Sequence, residues 1–137
     1  MNYFVGDGVH NGPRTKQQGR IHPVFTKSGQ FGRVSPSQLW VIQDEHPDSV
    51  RTGLFTQAGH LDKPDAPYWV ALPGSYHGGM GTLVFADGHA EAHKWLTPAL
   101  LKSPVVAEEN RPTTWLDNDV RDWQWFRVRT TEMPDGN

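Results

Sequence analysis

A strand, a tight turn and a return strand stand out in this chain between residues 82 and 95. The run 82–86 reads Thr-Leu-Val-Phe-Ala, the β-branched, aromatic and apolar composition of a buried strand. Asp87 and Gly88 follow it, and this dipeptide supplies the positive φ angles that a tight hairpin turn requires. The sequence therefore predicts a β-hairpin with its return strand at 90–95, and we expect the rest of the domain to pack around it.

Side chains alternate along a strand, so the return strand has two distinct faces. One face carries His89, Glu91, His93 and Trp95, and the other carries Ala90, Ala92 and Lys94. At ~3.3 Å per residue, His89 and His93 lie about 13 Å apart, which is too far to bind one metal ion. On a helix these two histidines would align as a zinc site with Asp87, but the Asp-Gly turn argues against a helix.

Three glycines, at positions 78, 79 and 81, precede the hairpin and predict a place where backbone comes close to a neighbouring segment. His77 stands just before them. As structural residues, His77 would anchor this loop by a hydrogen bond and Asp87 would accept backbone N–H groups in the turn. The alternative is that His77 and Asp87 form a catalytic or metal-binding pair.

Two motifs in the chain resemble a known family. His77, nine intervening residues and Asp87-Gly88 form a pattern similar to the H-X9-DG segment of prepilin-type, type II secretion pseudopilin-like proteins of planctomycete and verrucomicrobial bacteria. Residues 40–50, WVIQDEHPDSV, resemble the strand and the Asp-Glu-His-Pro-Asp-Ser motif of the same proteins. Residues 122–131 are similar to their closing helix, and residues 1–3 to an internal Met-Asn segment.

The resemblance implies a pilin-like globular head with a structural or interaction role, located in the cell envelope or outside the cell. Its partners would be other pilin-like subunits or surface molecules, and His77, Asp87 and Gly88 would hold its central loop. Residues 1–137 are then expected to be the C-terminal part of a longer protein, without the family's N-terminal helix. The chain itself carries no signal peptide or membrane segment, so alone it is expected to stay in the cytoplasm.

Length and composition limit the number of domains and the classes of function that the chain can have. A chain of 137 residues forms one domain, which we divide into a loop-rich segment at 1–38, a sheet core at 39–95 and a loop with a C-terminal helix at 96–137. With 13 basic and 15 acidic residues, the composition provides no general attraction to nucleic acid. The absence of cysteine removes disulfides and thiolate chemistry.

The expected fold class is α+β. Strands are predicted at 39–42, 51–56 and 67–72 in addition to the hairpin, which gives an antiparallel-rich sheet of about four to six strands. Long loops connect them, with one helical turn expected at 99–102. Asp117, Asn118 and Asp119 offer capping side chains before an amphipathic helix of roughly three turns, whose apolar residues are Val120, Trp123, Trp125, Phe126 and Val128.

Clustered carboxylates support an alternative function, a small hydrolase with glycosides as its expected substrates. The candidate catalytic residues are Asp44, Glu45, His46, His77, Asp87 and His89. Two carboxyl groups about 5 to 5.5 Å apart would indicate a retaining enzyme, and about 6.5 to 9.5 Å an inverting one. The six tryptophans would stack on sugar rings if exposed, or form the core if buried. The structural alternative is that the acidic cluster terminates a strand through hydrogen bonds to the backbone.

A calcium-binding surface module is the third hypothesis. Asp117, Asn118, Asp119 and Asp122 have the oxygen donors that calcium prefers, although helix capping explains the same residues. No other cofactor is predicted.

Overall fold

The structure is a computed structural model that describes residues 2, 5, 14–17, 20–50, 55, 68–69, 71–101, 115–116 and 119–131. For residues 14–17, 20–23, 68, 115 and 116 the description is limited to the backbone. The strands are β1 (Arg14–Gln17), β2 (Arg20–Pro23), β3 (Trp40–Gln43), β4 (Tyr68–Trp69), β5 (Met80–Phe85), β6 (Ala90–Lys94) and β7 (Trp115–Leu116). The helix α1 spans Arg121–Arg127, and two short 3₁₀ turns span Ser28–Gln30 and Pro98–Leu100.

The predicted hairpin is the centre of the fold. Strand β5 pairs antiparallel with β6 on one side and with β3 on the other, in the order β3-β5-β6. The N–H of Gly88 donates to the carbonyl of Phe85, and Gly88 has a φ of 93°. Glycine adopts this left-handed conformation without strain, as the Asp-Gly dipeptide predicts. The α+β fold class and the hairpin are therefore confirmed.

The central sheet is smaller than predicted. Among the described residues it has three strands, and β1-β2 and β4-β7 form separate antiparallel pairs. Of the strand expected at 67–72, the structure describes β4 and residues 71–72, which are not in a strand. Leu72 bonds instead to the turn at 46–49, and its carbonyl accepts the His46 N–H at 2.8 Å. The strand expected at 51–56 lies outside the described residues except for Phe55, which forms an isolated bridge with Asn2.

The core is dominated by aromatic side chains. Its largest fully buried members are Trp40, Trp69, Trp95, Trp123, Phe55 and Phe126. Along β5, residues 81, 83 and 85 face this core, whereas Thr82 is exposed, as strand alternation requires. Helix α1 packs Trp123 and Phe126 into the same cluster, so the predicted amphipathic helix is confirmed.

Helix α1 is shorter than the three turns that the apolar pattern predicts. It has seven residues, about two turns. The hydroxyl of Thr130 donates to the carbonyl of Phe126 at 2.8 Å, and that carbonyl also accepts the Arg129 N–H at 3.1 Å. These local bonds replace the next helical turn, since threonine side chains near a helix end compete with the helical hydrogen-bond pattern.

Two segments approach each other closely at Gly81. The indole N–H of Trp95 donates to the Gly74 carbonyl at 2.8 Å, and this pair lies against the α-carbon of Gly81. A Cβ atom at position 81 would lie 2.5 Å from the Gly74 oxygen and 2.9 Å from Trp95 Nε1. The expectation that the glycine-rich approach lets backbone come close to a neighbour is therefore confirmed at this residue.

We predict that Gly81→Ala destabilises the protein by about 2 to 4 kcal/mol, because the added methyl group separates Gly74 from Trp95 in a closely packed core. Thermal unfolding followed by tryptophan fluorescence measures the change. The matched control is Gly29→Ala, where a Cβ meets no atom within 4 Å. Equal melting temperatures for the two variants would contradict the prediction.

Candidate functional site

The acidic motif at 44–49 follows directly after β3 and forms a turn against the segment 72–74. The N–H of Gly74 donates to the Asp44 carbonyl at 2.7 Å, and Glu45 forms an antiparallel bridge with Pro73. Asp44 is exposed, Glu45 is half-buried, and His46, Asp48 and Ser49 are buried. The predicted catalytic residues Asp44, Glu45 and His46 therefore lie together, but at different depths.

Ser49 is the hydrogen-bonding centre of this turn, a role that no local sequence pattern predicts. Its hydroxyl oxygen accepts the Leu72 N–H at 3.0 Å and lies 3.1 Å from Glu45 Oε1. It also lies within donating distance of the His46 and Leu72 carbonyls, at 3.0 and 3.3 Å. Since a hydroxyl has one proton, Ser49 can donate to one of these oxygens at a time. Burial raises the pKa of Glu45, and the bond from Ser49 opposes that rise.

His46 and Tyr76 form the aromatic side of the cluster. The His46 ring is 1% exposed and is stacked on Tyr76, with centroids 6.2 Å apart. His46 Nδ1 accepts the Asp48 N–H at 3.3 Å. The Tyr76 hydroxyl donates to the Glu45 carbonyl at 3.3 Å. Partial burial, followed by the negative charges of Asp48, Asp44 and Glu45, raises the pKa of Tyr76. The phenol therefore stays protonated at neutral pH and acts as a donor.

His77 and Asp87 lie at opposite ends of β5. The six residues of β5 separate them, a distance of about 20 Å at ~3.3 Å per residue. His77 is exposed in the turn before the strand, and its carbonyl accepts the Met80 N–H at 3.3 Å. Within the described part of the chain its side chain makes no hydrogen bond. The geometry therefore does not bring His77 and Asp87 together as a pair.

Asp87 serves the hairpin turn, as the structural interpretation predicted. Its Oδ1 accepts the His89 N–H at 3.2 Å and lies 2.6 Å from His89 Nδ1. These two hydrogen bonds lower the pKa of Asp87. The His89 ring in turn stacks on Phe85, with centroids 4.5 Å apart and an interplanar angle of 3°. His89 therefore closes the turn, on the same strand face as His93 but nearer the tip of the hairpin.

Asp122, which the sequence assigned to the calcium group, is the most deeply buried acidic residue among those described. Asp122, on α1, is 2% exposed. Its Oδ2 accepts the N–H groups of Leu96 and Thr97 at 2.7 and 2.8 Å and the Thr97 hydroxyl at 2.9 Å. Its Oδ1 lies 3.5 Å from His93 Nε2. Burial favours the neutral acid, but the contact with His93 and the bonds from Thr97 and Leu96 outweigh it and lower the pKa of Asp122.

His93 links this carboxylate to the aromatic core. Its ring stacks on Trp125 with centroids 3.7 Å apart, and it meets Trp95 edge to face at 4.6 Å. The guanidinium of Arg129 lies 4.4 Å from the Trp125 ring centroid. His93 is consequently a packed side chain at the junction of β6 and α1. Its position on the same face as Trp95 was predictable from strand alternation, whereas its contact with Asp122 was not.

The remaining acidic residue of the predicted calcium group points elsewhere. Asp119 is paired with the guanidinium of Arg121 and accepts the Arg121 N–H at 3.1 Å, which serves the start of α1. Asp117 and Asn118 lie outside the described residues. Among the residues that are described, no group of three histidine or acidic side chains is arranged to hold a metal ion.

Four of the six tryptophans, at positions 40, 69, 95 and 123, are fully buried. Trp125 is partly buried between α1 and β6, and the side chain of Trp115 is outside the description. The four buried indoles therefore belong to the core and have no face available for stacking on a sugar.

Comparison of the chain with protein-family models, with curated proteins and with solved structures found no match. In the part of the chain that the structure describes, no helix has the length and apolar character of a membrane span.

We predict that Asp122→Asn lowers the free energy of unfolding by about 3 kcal/mol near neutral pH, because it removes a buried charge that several donors stabilise. The folded-state pKa is lowered, so the stability due to the carboxylate is complete above the unfolded pKa of about 3.9 and is lost as pH falls through the folded value. The difference between variant and wild type should therefore shrink in acid. Urea unfolding at about pH 7 and about pH 3 measures it.

The matched control is Asp119→Asn, which removes the same charge at a less buried position just before α1. A loss in Asp119→Asn as large as that in Asp122→Asn, or a difference that does not change with pH, would contradict this account of Asp122.

Proposed function

We propose that this chain is the globular head of a pilin-like or pseudopilin-like protein, with a structural and interaction role. One observation carries the proposal. Three polar residues of the motif segments, Ser49, Asp87 and Asp122, direct hydrogen bonds to backbone groups, whereas the side chain of His77 makes none within the described residues. Ser49 bonds to Leu72, and Asp87 bonds to His89. Asp122 holds Leu96 and Thr97.

The segment at the start of the chain supports the same role. Asn2 is fully buried, and its side-chain amide donates to the Trp40 carbonyl at 2.7 Å and to the Thr130 carbonyl at 2.9 Å. It thereby joins β3 to the turn after α1. Residues used in this way specify one packing of the domain, as expected of a rigid head that presents its surface to partners.

A small hydrolase remains the second candidate, because burial raises the pKa of Glu45 beside the carboxylates of Asp44 and Asp48. A carboxyl whose pKa is raised by burial, with a second carboxyl nearby, is a feature of general acids in hydrolases. On this hypothesis Glu45 is the acid and Asp44 the base or nucleophile, with carbohydrate as the substrate. Both residues must then act at the same open surface beside Tyr76, which is 49% exposed.

The two functions are separated by assaying the purified chain on a panel of chromogenic glycosides and esters beside Glu45→Gln. The structural proposal predicts no turnover above the rate in buffer. Turnover that the wild type shows and a folded Glu45→Gln variant lacks would overturn the proposal and establish the hydrolase.

For the hairpin we predict that Asp87→Ala lowers the melting temperature by several degrees, because the turn loses both bonds between Asp87 and His89. Asp44→Ala is the matched control, an exposed carboxylate at the other side of the sheet. Differential scanning calorimetry compares the two. If Asp87→Ala melts at the wild-type temperature, Asp87 does not have the structural role assigned to it.

A further inference from the structure

Strand β6 forms an edge of the central sheet. Its ladder with β5 is flanked by two hydrogen bonds, from the Phe85 N–H to the His89 carbonyl and from the Trp95 N–H to the Gly79 carbonyl, both 2.9 Å. Because backbone groups alternate in direction along an antiparallel strand, the odd-numbered residues of β6 face β5. The N–H and C=O groups of Ala90, Ala92 and Lys94 consequently point away from the sheet.

This edge is regular, and none of the described strands pairs with it. All three outward residues and Glu91 are exposed. The register of β5 with β6 runs without interruption from Met80↔Lys94 to Val84↔Ala90, whereas the irregularity in this sheet lies in β3. Native edges are usually blunted by proline, bulges or several charges. Strand β6 has the sequence Ala-Glu-Ala-His-Lys, with neither proline nor a bulge, and two of its three outward residues are alanines, whose small side chains leave the backbone accessible.

We propose that β6 pairs antiparallel with β6 of a second copy of this chain, about a twofold axis at Ala92. Ala92 then lies opposite Ala92 of the second copy, and Ala90 lies opposite Lys94, so all three outward residues of each strand form hydrogen bonds. The inference deepens the proposed interaction role and rests on it, because it names the partner of a head domain as another copy of itself.

Charge selects this register over its neighbours. With the axis at Ala92, Glu91 of each copy lies opposite His93 of the other in the closely spaced, non-hydrogen-bonded pair. An axis at Glu91 would instead place two glutamates opposite each other, and like charges directly opposite destabilise a strand pair. With the axis at Ala92 that repulsion is absent at both symmetry-related positions.

The pairing also enlarges the three-stranded central sheet. Two copies joined through β6 form one continuous sheet of six strands, in the order β3-β5-β6-β6-β5-β3. The closed twofold arrangement leaves the two β3 strands as the outer edges and, unlike a head-to-tail contact, does not propagate into a filament. Sheets of about four to six strands are the commonest size, and three strands are below it.

Sedimentation equilibrium over a concentration series tests the proposal on wild type, Ala92→Pro and Ala92→Ser. Proline removes only the outward N–H, so the ladder to β5 is retained, whereas serine keeps that N–H and is the matched control. We expect reversible dimers for wild type and Ala92→Ser, and an association constant lowered by about tenfold or more for Ala92→Pro. Near-UV circular dichroism checks that each variant is folded.

The register is tested by Glu91→Lys with Asp44→Lys as its control, since both make the same charge change at exposed positions, one on β6 and the other just after β3. We expect Glu91→Lys to weaken association by about three- to tenfold and Asp44→Lys to leave it unchanged. Amide hydrogen exchange provides an independent measurement that needs no variant. Protection of the Ala92 and Lys94 amides should rise with protein concentration.

A chain that stays monomeric at every concentration, a dimer that persists in Ala92→Pro, or equal effects of the two lysine variants would overturn self-pairing in this register. So would amides at Ala92 and Lys94 that exchange at the same rate at all concentrations. Failure of this kind is distinct from failure of the proposed function, which is decided by turnover of the substrate panel.

Discussion

A buried carboxylate must be satisfied by donors, and in this domain that requirement joins the sheet to the helix. Asp122 reaches from α1 to the backbone of Leu96 and Thr97, immediately after β6. The contact fixes where the chain leaves the sheet, and therefore where the rings of His93 and Trp95 meet Trp125 and Phe126. Displacing the carboxylate would leave its charge and several backbone donors without partners at once, which is why the arrangement is sharply defined.

Local sequence signals predicted the parts of the fold that depend on neighbouring residues. The Asp87-Gly88 turn, the alternation along β5 and the apolar stripe of α1 are short-range patterns, and each is present in the structure. The boundaries of β3, β5 and β6 lie within two residues of the predicted ones. The length of α1 was overestimated because the side chain of Thr130 competes with the helix for the Phe126 carbonyl.

The connections between distant segments were not predictable from one sequence. Ser49 and Leu72 are 23 residues apart, and Asp122 and Thr97 are 25 apart, so no periodicity links them. Serine and aspartate are residue types that favour turns or ion binding, so the sequence could suggest those roles for Ser49 and Asp122. The residue to which each one bonds depends on how the sheet and the helix pack. From the sequence alone, the six tryptophans could lie in the core or on the surface. Four of them are buried, and their burial depends on the same packing of sheet and helix.

The hydrogen bond from Asn2 to the Thr130 carbonyl spans 128 positions of the chain. Trp40, between them in sequence, accepts from Asn2 through its carbonyl and donates from its indole N–H to the Thr130 hydroxyl at 3.1 Å. Contacts that join the beginning and end of a domain require closure of a long loop, whose entropic cost must be met before the contacts form. During synthesis on the ribosome, the hairpin can therefore assemble early, but the aromatic core stays open until the last helix has emerged.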